Sequence, residues 1–170
     1  MFKPSWNKVI GNTAGFSLVE VMAVLFLVSM GLIGVLALLV QSMQVRYINR
    51  NAMTAYSLAQ EGIELVRHVR DSNWRQSEPW LTGLAAGEYC LDYQDPVPVS
   101  TSGQGCRLYI GADGFYDHVN SLGDQASPFY RKVSVSAVAT SSAVITADIS
   151  WTDHSKSYGY HLETILYDWK

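Results

Sequence analysis

The sequence is poor in formal charge and, over its first half, in proline. Charged residues make up 16% of its 170 residues, against roughly 25% in ordinary soluble domains, and the net charge is −3. A chain without an excess of Lys and Arg lacks the electrostatic footprint of a nucleic-acid binder, so we expect no nucleic-acid partner. No proline lies between Pro4 and Pro79, which removes the strongest helix breaker from this stretch.

Motifs of catalytic and metal sites are also missing. The two cysteines are too far apart for a CxxC redox or zinc motif, and the four histidines form no H-E-x-x-H or i, i+4 pair. No G-x-S-x-G, P-loop or dinucleotide fingerprint occurs. Asp92, Asp95, Asp113 and Asp117 lie in loop-like stretches but do not form the frame of a calcium-binding loop. The sequence therefore predicts a protein that is not an enzyme and has no cofactor, catalytic residue or metal site.

One long apolar segment near the N-terminus is what the sequence has in excess. The 25 residues between Glu20 and Arg46 carry no formal charge. As a helix, the segment 16–40 is about 37 Å long, against a hydrocarbon core of about 30 Å. It exceeds the h-region of a secretory signal and has no A-x-A site at its end. We expect a transmembrane helix, and Lys3 and Lys8 before it favour a cytoplasmic N-terminus.

Two residues at the start of this segment distinguish it from a plain membrane anchor. Glu20 places a carboxylate in the apolar run, where an acidic residue is costly and needs a partner. Gly15 has no side chain, so a protease can approach the backbone between the basic leader and Phe16 closely. Cleavage there would place the new amine of Phe16 about one helical turn from Glu20 of its own chain or of a neighbour.

The junction Gly15-Phe16-Ser17-Leu18-Val19-Glu20 resembles the G|FxLxE motif of type IV prepilins and of the pseudopilins of type II secretion. The resemblance implies that a prepilin peptidase cuts after Gly15 and N-methylates Phe16. It further implies that Glu20 neutralises the N-terminal amine of an adjacent subunit when subunits leave the membrane for a helical filament. Other pilin subunits and the inner-membrane assembly machinery are then partners as well.

The stretches 59–74 and 147–169 resemble the minor pilins of the PilV type. This resemblance implies a minor type IV pilin that enters a pilus or primes its assembly. It would be a single-pass inner-membrane protein with an extracytoplasmic head before assembly, and part of a surface pilus afterwards. A type II secretion pseudopilin shares every N-terminal feature. A membrane-anchored extracellular binding domain is the alternative from a different class, and it would keep its first fifteen residues.

An amphipathic pattern continues the helix beyond the apolar run. Apolar residues recur at steps of three and four, which is typical of one helix face: Ala52, Tyr56, Ala59, Ile63, Val66 and Val69. Polar residues between them are assigned to a solvated face: Arg50, Asn51, Gln60, Glu61, Glu64, Arg67 and Arg70. The stretch Asp71-Ser72-Asn73 predicts that the helix, starting at Phe16, ends near residue 73.

The remaining residues predict a β-rich domain. Glycines and prolines separate short runs of aromatic and β-branched residues, with strands expected at 88–93, 107–110, 115–118, 129–138, 143–153 and 158–169. The last three form an antiparallel meander. The chain therefore divides into a leader (1–15), a membrane-spanning helix (16–40), an amphipathic continuation (41–74) and an extracytoplasmic head (75–170). The expected fold class is α+β, with the long helix packed on a small antiparallel sheet, as in type IV pilins.

Cys90 and Cys106 have fifteen residues between them, including two prolines and two glycines. Outside the cytoplasm such a pair is most simply a disulfide that closes a loop. In a reducing compartment the two residues would instead be buried thiols.

Overall fold

The computed structural model describes residues 15–93, 99–100, 105–136, 139–153 and 155–169. Of the predicted leader, only Gly15 is among them. The described residues contain one helix and seven strands: α1 (Leu18–Arg75), β1 (Gly87–Cys90), β2 (Val99–Ser100), β3 (Arg107–Ile110), β4 (Tyr116–Asp117), β5 (Gln125–Ser136), β6 (Ser142–Asp153) and β7 (Lys156–Tyr167). The chain divides into two compact units, residues 1–47 and residues 48–170.

Helix α1 is continuous over 58 residues, as the absence of proline predicted. At its start the Ser17 carbonyl accepts the backbone N–H groups of Glu20 and Val21, at 3.0 and 3.2 Å. At its end the Glu78 N–H donates to the Asn73 carbonyl at 2.9 Å, which satisfies one of the orphan carbonyls of the last turn. Both ends lie within two residues of the predicted ones.

The second half of α1 packs on the sheet through small and apolar side chains. The buried residues are Ala55, Leu58, Ala59, Gly62, Ile63, Val66, Val69 and Arg70. Gly62 lies close against the sheet, since a Cβ there would lie 3.2 Å from Val133 Cγ2 and 3.6 Å from Ala147 Cβ. A larger residue at position 62 would push the helix from strands β5 and β6.

Two assignments on this helix were wrong. Tyr56 was placed on the buried face, but it is 45% exposed and contacts the Tyr160 ring edge-on, with 5.7 Å between ring centroids. Arg70 was assigned to the solvated face, but only 8% of it is exposed. Its guanidinium lies 4.6 Å from the Trp74 ring centroid, and its Nε donates to Asp71 Oδ1 at 2.9 Å. Aromatic and carboxylate contacts thus offset the cost of burying this cation.

The sheet is antiparallel throughout its seven strands. The predicted meander is confirmed: β5 pairs with β6, and β6 pairs with β7 in an unbroken register from Ser142↔Tyr167 to Asp153↔Lys156. Strands β1 and β3 share the other edge of β5, with β2 and β4 beyond them. The six predicted strands are present, β3 at the predicted bounds and the other five with shifted ends, and β2 is an addition. The predicted α+β class, a long helix packed on an antiparallel sheet, is confirmed.

Cys90 and Cys106 form a disulfide, which links the end of β1 to the residue before β3. The two strands follow one another along the same edge of β5, and the disulfide joins them where they meet.

Breaking this bond is expected to lower the free energy of unfolding by about 3 kcal/mol, the chain-entropy value for a loop of about fifteen residues. Urea titration of the wild type and of the Cys90→Ala/Cys106→Ala variant measures the loss. The wild type in reducing agent is the second comparison. A variant that unfolds at the wild-type urea concentration would contradict the expectation.

Candidate functional site

The first half of α1 exposes an apolar surface on every side. Each residue from Gly15 to Tyr47 is exposed, and Phe16 is the most exposed of the large apolar side chains in this stretch, at 83%. Within the described residues, α1 is the one helix long and apolar enough to cross a membrane, with a mean hydropathy of 2.8 in its most apolar window. A helix that is apolar on all sides requires lipid or other helices around it.

Glu20 and Phe16 share one face of this helix end. They line a shallow groove together with Val21, Val24 and Leu25. Glu20 lies in the first turn of α1, where the unpaired N–H groups of the helix start favour a negative charge. The Glu20 carboxylate makes no ion pair with any of the described residues. Its charge is therefore available to a cation from outside this part of the chain.

Gly15 is exposed, and no described residue packs against it. An added Cβ at this position would have no heavy atom of the described chain within 4 Å. Among the described residues, none crowds the backbone at Gly15.

Two of the acidic residues singled out in the head, Asp92 and Asp113, act as hydrogen-bond acceptors for loops. Asp92 accepts the backbone N–H groups of Tyr93 and His118, at 2.6 and 2.9 Å. Asp113 accepts the Tyr93 hydroxyl and the Phe115 N–H, both at 3.1 Å.

Burial raises the pKa of Asp117, and the carboxylates of Asp92, Asp124 and Asp113 raise it further, in that order. Asp95 lies outside the described residues. No group of three or more His, Cys, Asp or Glu residues that could hold a metal ion occurs in the described part of the chain.

His118 is half-buried in the head and contacts its backbone. Its Nδ1 lies 3.1 Å from the Arg107 carbonyl oxygen. Burial lowers the pKa of His118, and the nearby Arg131 guanidinium lowers it further, against the opposing effects of the Arg107 carbonyl and the Asp92 carboxylate. The folded state therefore binds fewer protons at this residue than the unfolded chain does.

A stabilising contribution from neutral His118 is thus fully present above the unfolded pKa of about 6.5 and is lost as the pH falls below it. We expect the unfolding free energy of the wild type to fall between about pH 7 and 5 more steeply than that of His118→Gln. Urea titrations at several pH values test this, with His68→Gln, at an exposed helix position, as the control. Parallel pH profiles for wild type and His118→Gln would contradict the assignment.

Sequence reasoning missed Arg131, which is fully buried between α1 and the sheet. Its Nη2 donates to the Leu91 carbonyl at 2.8 Å, and its Nη1 lies 2.9 Å from Glu61 Oε1. The Nη1 contact is an ion pair without hydrogen-bond geometry. The alternation of Phe129, Val133 and Val135 could have revealed the burial of Arg131. On a strand, Arg131 points to the same face as these core residues.

Comparison with protein-family models, curated proteins and solved structures found no match to this chain. The functional argument therefore depends on the N-terminal segment itself.

Proposed function

We propose that this chain is a minor type IV pilin, a filament subunit rather than an enzyme. In this proposal a prepilin peptidase cuts after Gly15 and methylates the new N-terminal amine of Phe16. The subunit then waits in the inner membrane as a single-pass protein, with residues 75–170 outside the cytoplasm. Assembly machinery transfers it into a pilus with other pilin subunits.

The observation that carries the proposal is the junction 15–20 at the start of a helix that is exposed on all sides. No described residue crowds Gly15, and Phe16 and Glu20 line one groove. The apolar surface up to Tyr47 needs lipid before assembly, and neighbouring helices can replace that lipid afterwards. Transfer of a subunit from the membrane into a filament requires a cleavage site, a charge that can pair with a neighbour, and an apolar surface that can contact either lipid or other helices.

Glu20 supplies the electrostatic part of this transfer. A carboxylate in lipid is costly, and an amine on a neighbouring subunit would neutralise it. The Glu20 carboxylate has no ion-pair partner in the described part of the chain. A pair with a neighbour's amine would therefore not require an ion pair among the described residues to break. Insertion next to an existing subunit is then favoured over remaining as an isolated helix.

Intact-mass and N-terminal peptide analysis of the protein from its native membrane fraction tests the proposal. A chain that begins at N-methyl-Phe16 is the expected result. A chain that still begins at Met1 in cells with an active prepilin peptidase would contradict it and would favour an anchored extracellular domain. Deleting the gene then separates the two filament systems: loss of pili supports a pilin, and loss of protein secretion supports a type II secretion pseudopilin.

A further inference from the structure

An open cavity of about 530 Å³ lies where helix α1 ends, within the unit formed by residues 48–170. Its volume falls within the usual range of small-ligand sites. Two indoles, two carboxylates and two small hydroxyl residues contribute to its wall: Trp74, Trp80, Glu78, Asp168, Ser77 and Thr140. These groups come from the helix end, the loop after it, the β5–β6 connection and the chain after β7.

Hydrogen bonds hold these segments together. The Trp74 Nε1–H donates to Asp168 Oδ1 at 3.1 Å, which ties the helix end to the chain after β7. The Asp168 N–H donates to the Ser141 carbonyl at 2.9 Å, which fixes that chain against the β5–β6 connection. The Asn73 side chain donates to the Trp80 carbonyl at 3.1 Å and so positions the loop. The cavity is therefore formed before any ligand binds, which lowers the entropic cost of binding.

The chemistry of the wall fits a sugar. Carboxylates accept hydrogen bonds from hydroxyl groups, and Ser and Thr hydroxyls both donate and accept. The face of an indole carries negative electrostatic potential and attracts the polarised C–H groups of a sugar ring. We infer that this cavity binds a neutral carbohydrate, with Glu78 and Asp168 accepting its hydroxyl hydrogens and Trp74 contacting its ring.

Arg70 argues for a neutral ligand over a cation. Its guanidinium lies 4.6 Å from the Trp74 ring centroid and 6.0 Å from that of Trp169, so a positive charge is already held against these indoles. A cation in the cavity would have to share the Trp74 ring with Arg70, whereas a neutral sugar can use the Glu78 and Asp168 carboxylates as hydrogen-bond acceptors. The inference does not depend on the proposed pilin function, since it uses only residues of the unit 48–170.

Nuclear magnetic resonance of the full chain tests the inference, in a polyoxyethylene detergent whose head group is neither sugar nor cation. The probes are glucose, galactose, mannose and N-acetylglucosamine, with tetramethylammonium chloride as the cationic probe. The signal is the indole N–H of Trp74. We expect at least one sugar to shift this signal saturably, and tetramethylammonium to leave it unchanged.

Two conservative variants locate the site. Glu78→Gln and Asp168→Asn are each expected to raise the dissociation constant about tenfold or more, while Glu163→Gln, an exposed carboxylate on β7, leaves it unchanged. Amide spectra of the variants confirm that the head remains folded. The inference is overturned if no sugar saturates the shift, if tetramethylammonium alone does, or if both cavity variants bind as the wild type does.

Discussion

Glu20→Gln is expected to be cleaved after Gly15 like the wild type but to enter filaments about a hundredfold less. In the proposed filament, the variant leaves the amine of a neighbouring Phe16 without its counter-charge between apolar helices. Removing one partner of a buried ion pair costs about 3–5 kcal/mol, and 3 kcal/mol already exceeds a hundredfold change in an equilibrium. The measurement is the ratio of subunit in sheared filaments to subunit in the membrane.

The matched control is Glu64→Gln, because Glu64 is an exposed carboxylate of the same helix that pairs with Arg67 at the surface. Exposed pairs of this kind contribute little, so Glu64→Gln is expected to assemble normally. N-terminal peptide analysis of both variants separates a defect in processing from one in assembly. Equal incorporation of Glu20→Gln and wild type would refute the pairing role of Glu20.

Arg131→Ala is expected to destabilise the head by about 3–5 kcal/mol, comparable to other losses of a buried charged partner. The substitution leaves a cavity beneath Gly62, where Arg131 Cδ lies 3.4 Å from the position of an added Cβ. It also removes the donor to the buried Leu91 carbonyl and the counter-charge of Glu61. Urea unfolding of the full chain in detergent, followed by tryptophan fluorescence, measures the change.

Arg131→Met separates packing from charge. It fills most of the same volume, and the Glu61 side chain, 37% exposed, can turn to water, so the expected loss is smaller than for Arg131→Ala. Lys132→Ala is the control, because Lys132 is the next residue and pairs with Glu88 on the exposed side of the sheet. If Arg131→Ala were no more destabilising than Lys132→Ala, the buried contacts would not contribute as described.

Local patterns in the sequence were enough to predict most of the elements. The proline-free stretch predicted a continuous helix, and Asp71-Ser72-Asn73 predicted its end near residue 73, two residues before the observed end at Arg75. Alternation of apolar residues predicted β6 and β7 within two residues at each end. Strand β5 was predicted to begin after Pro128, yet it begins at Gln125. The register between β3 and β5 shifts at this point, so Pro128 lies at an irregularity where its missing N–H is tolerated.

The two candidate sites also differ in whether the sequence could reveal them. The junction from Gly15 to Glu20 was found from the sequence, because the motif consists of consecutive residues. Its cleavage and methylation stay predictions. The cavity that includes Trp74 and Asp168 was not found, because its wall joins residues ninety-four positions apart.

The sequence by itself determined the long helix, the position of most strands, the meander of β5, β6 and β7, and the apolar first half of α1. Those features follow from periodicity and from the absence of proline, which act over a few neighbouring residues. Only the tertiary structure decided that Arg70 and Arg131 are buried and that Tyr56 is exposed. The physical reason is that burial depends on which element covers a side chain, and that covering is set by packing between segments far apart in the chain.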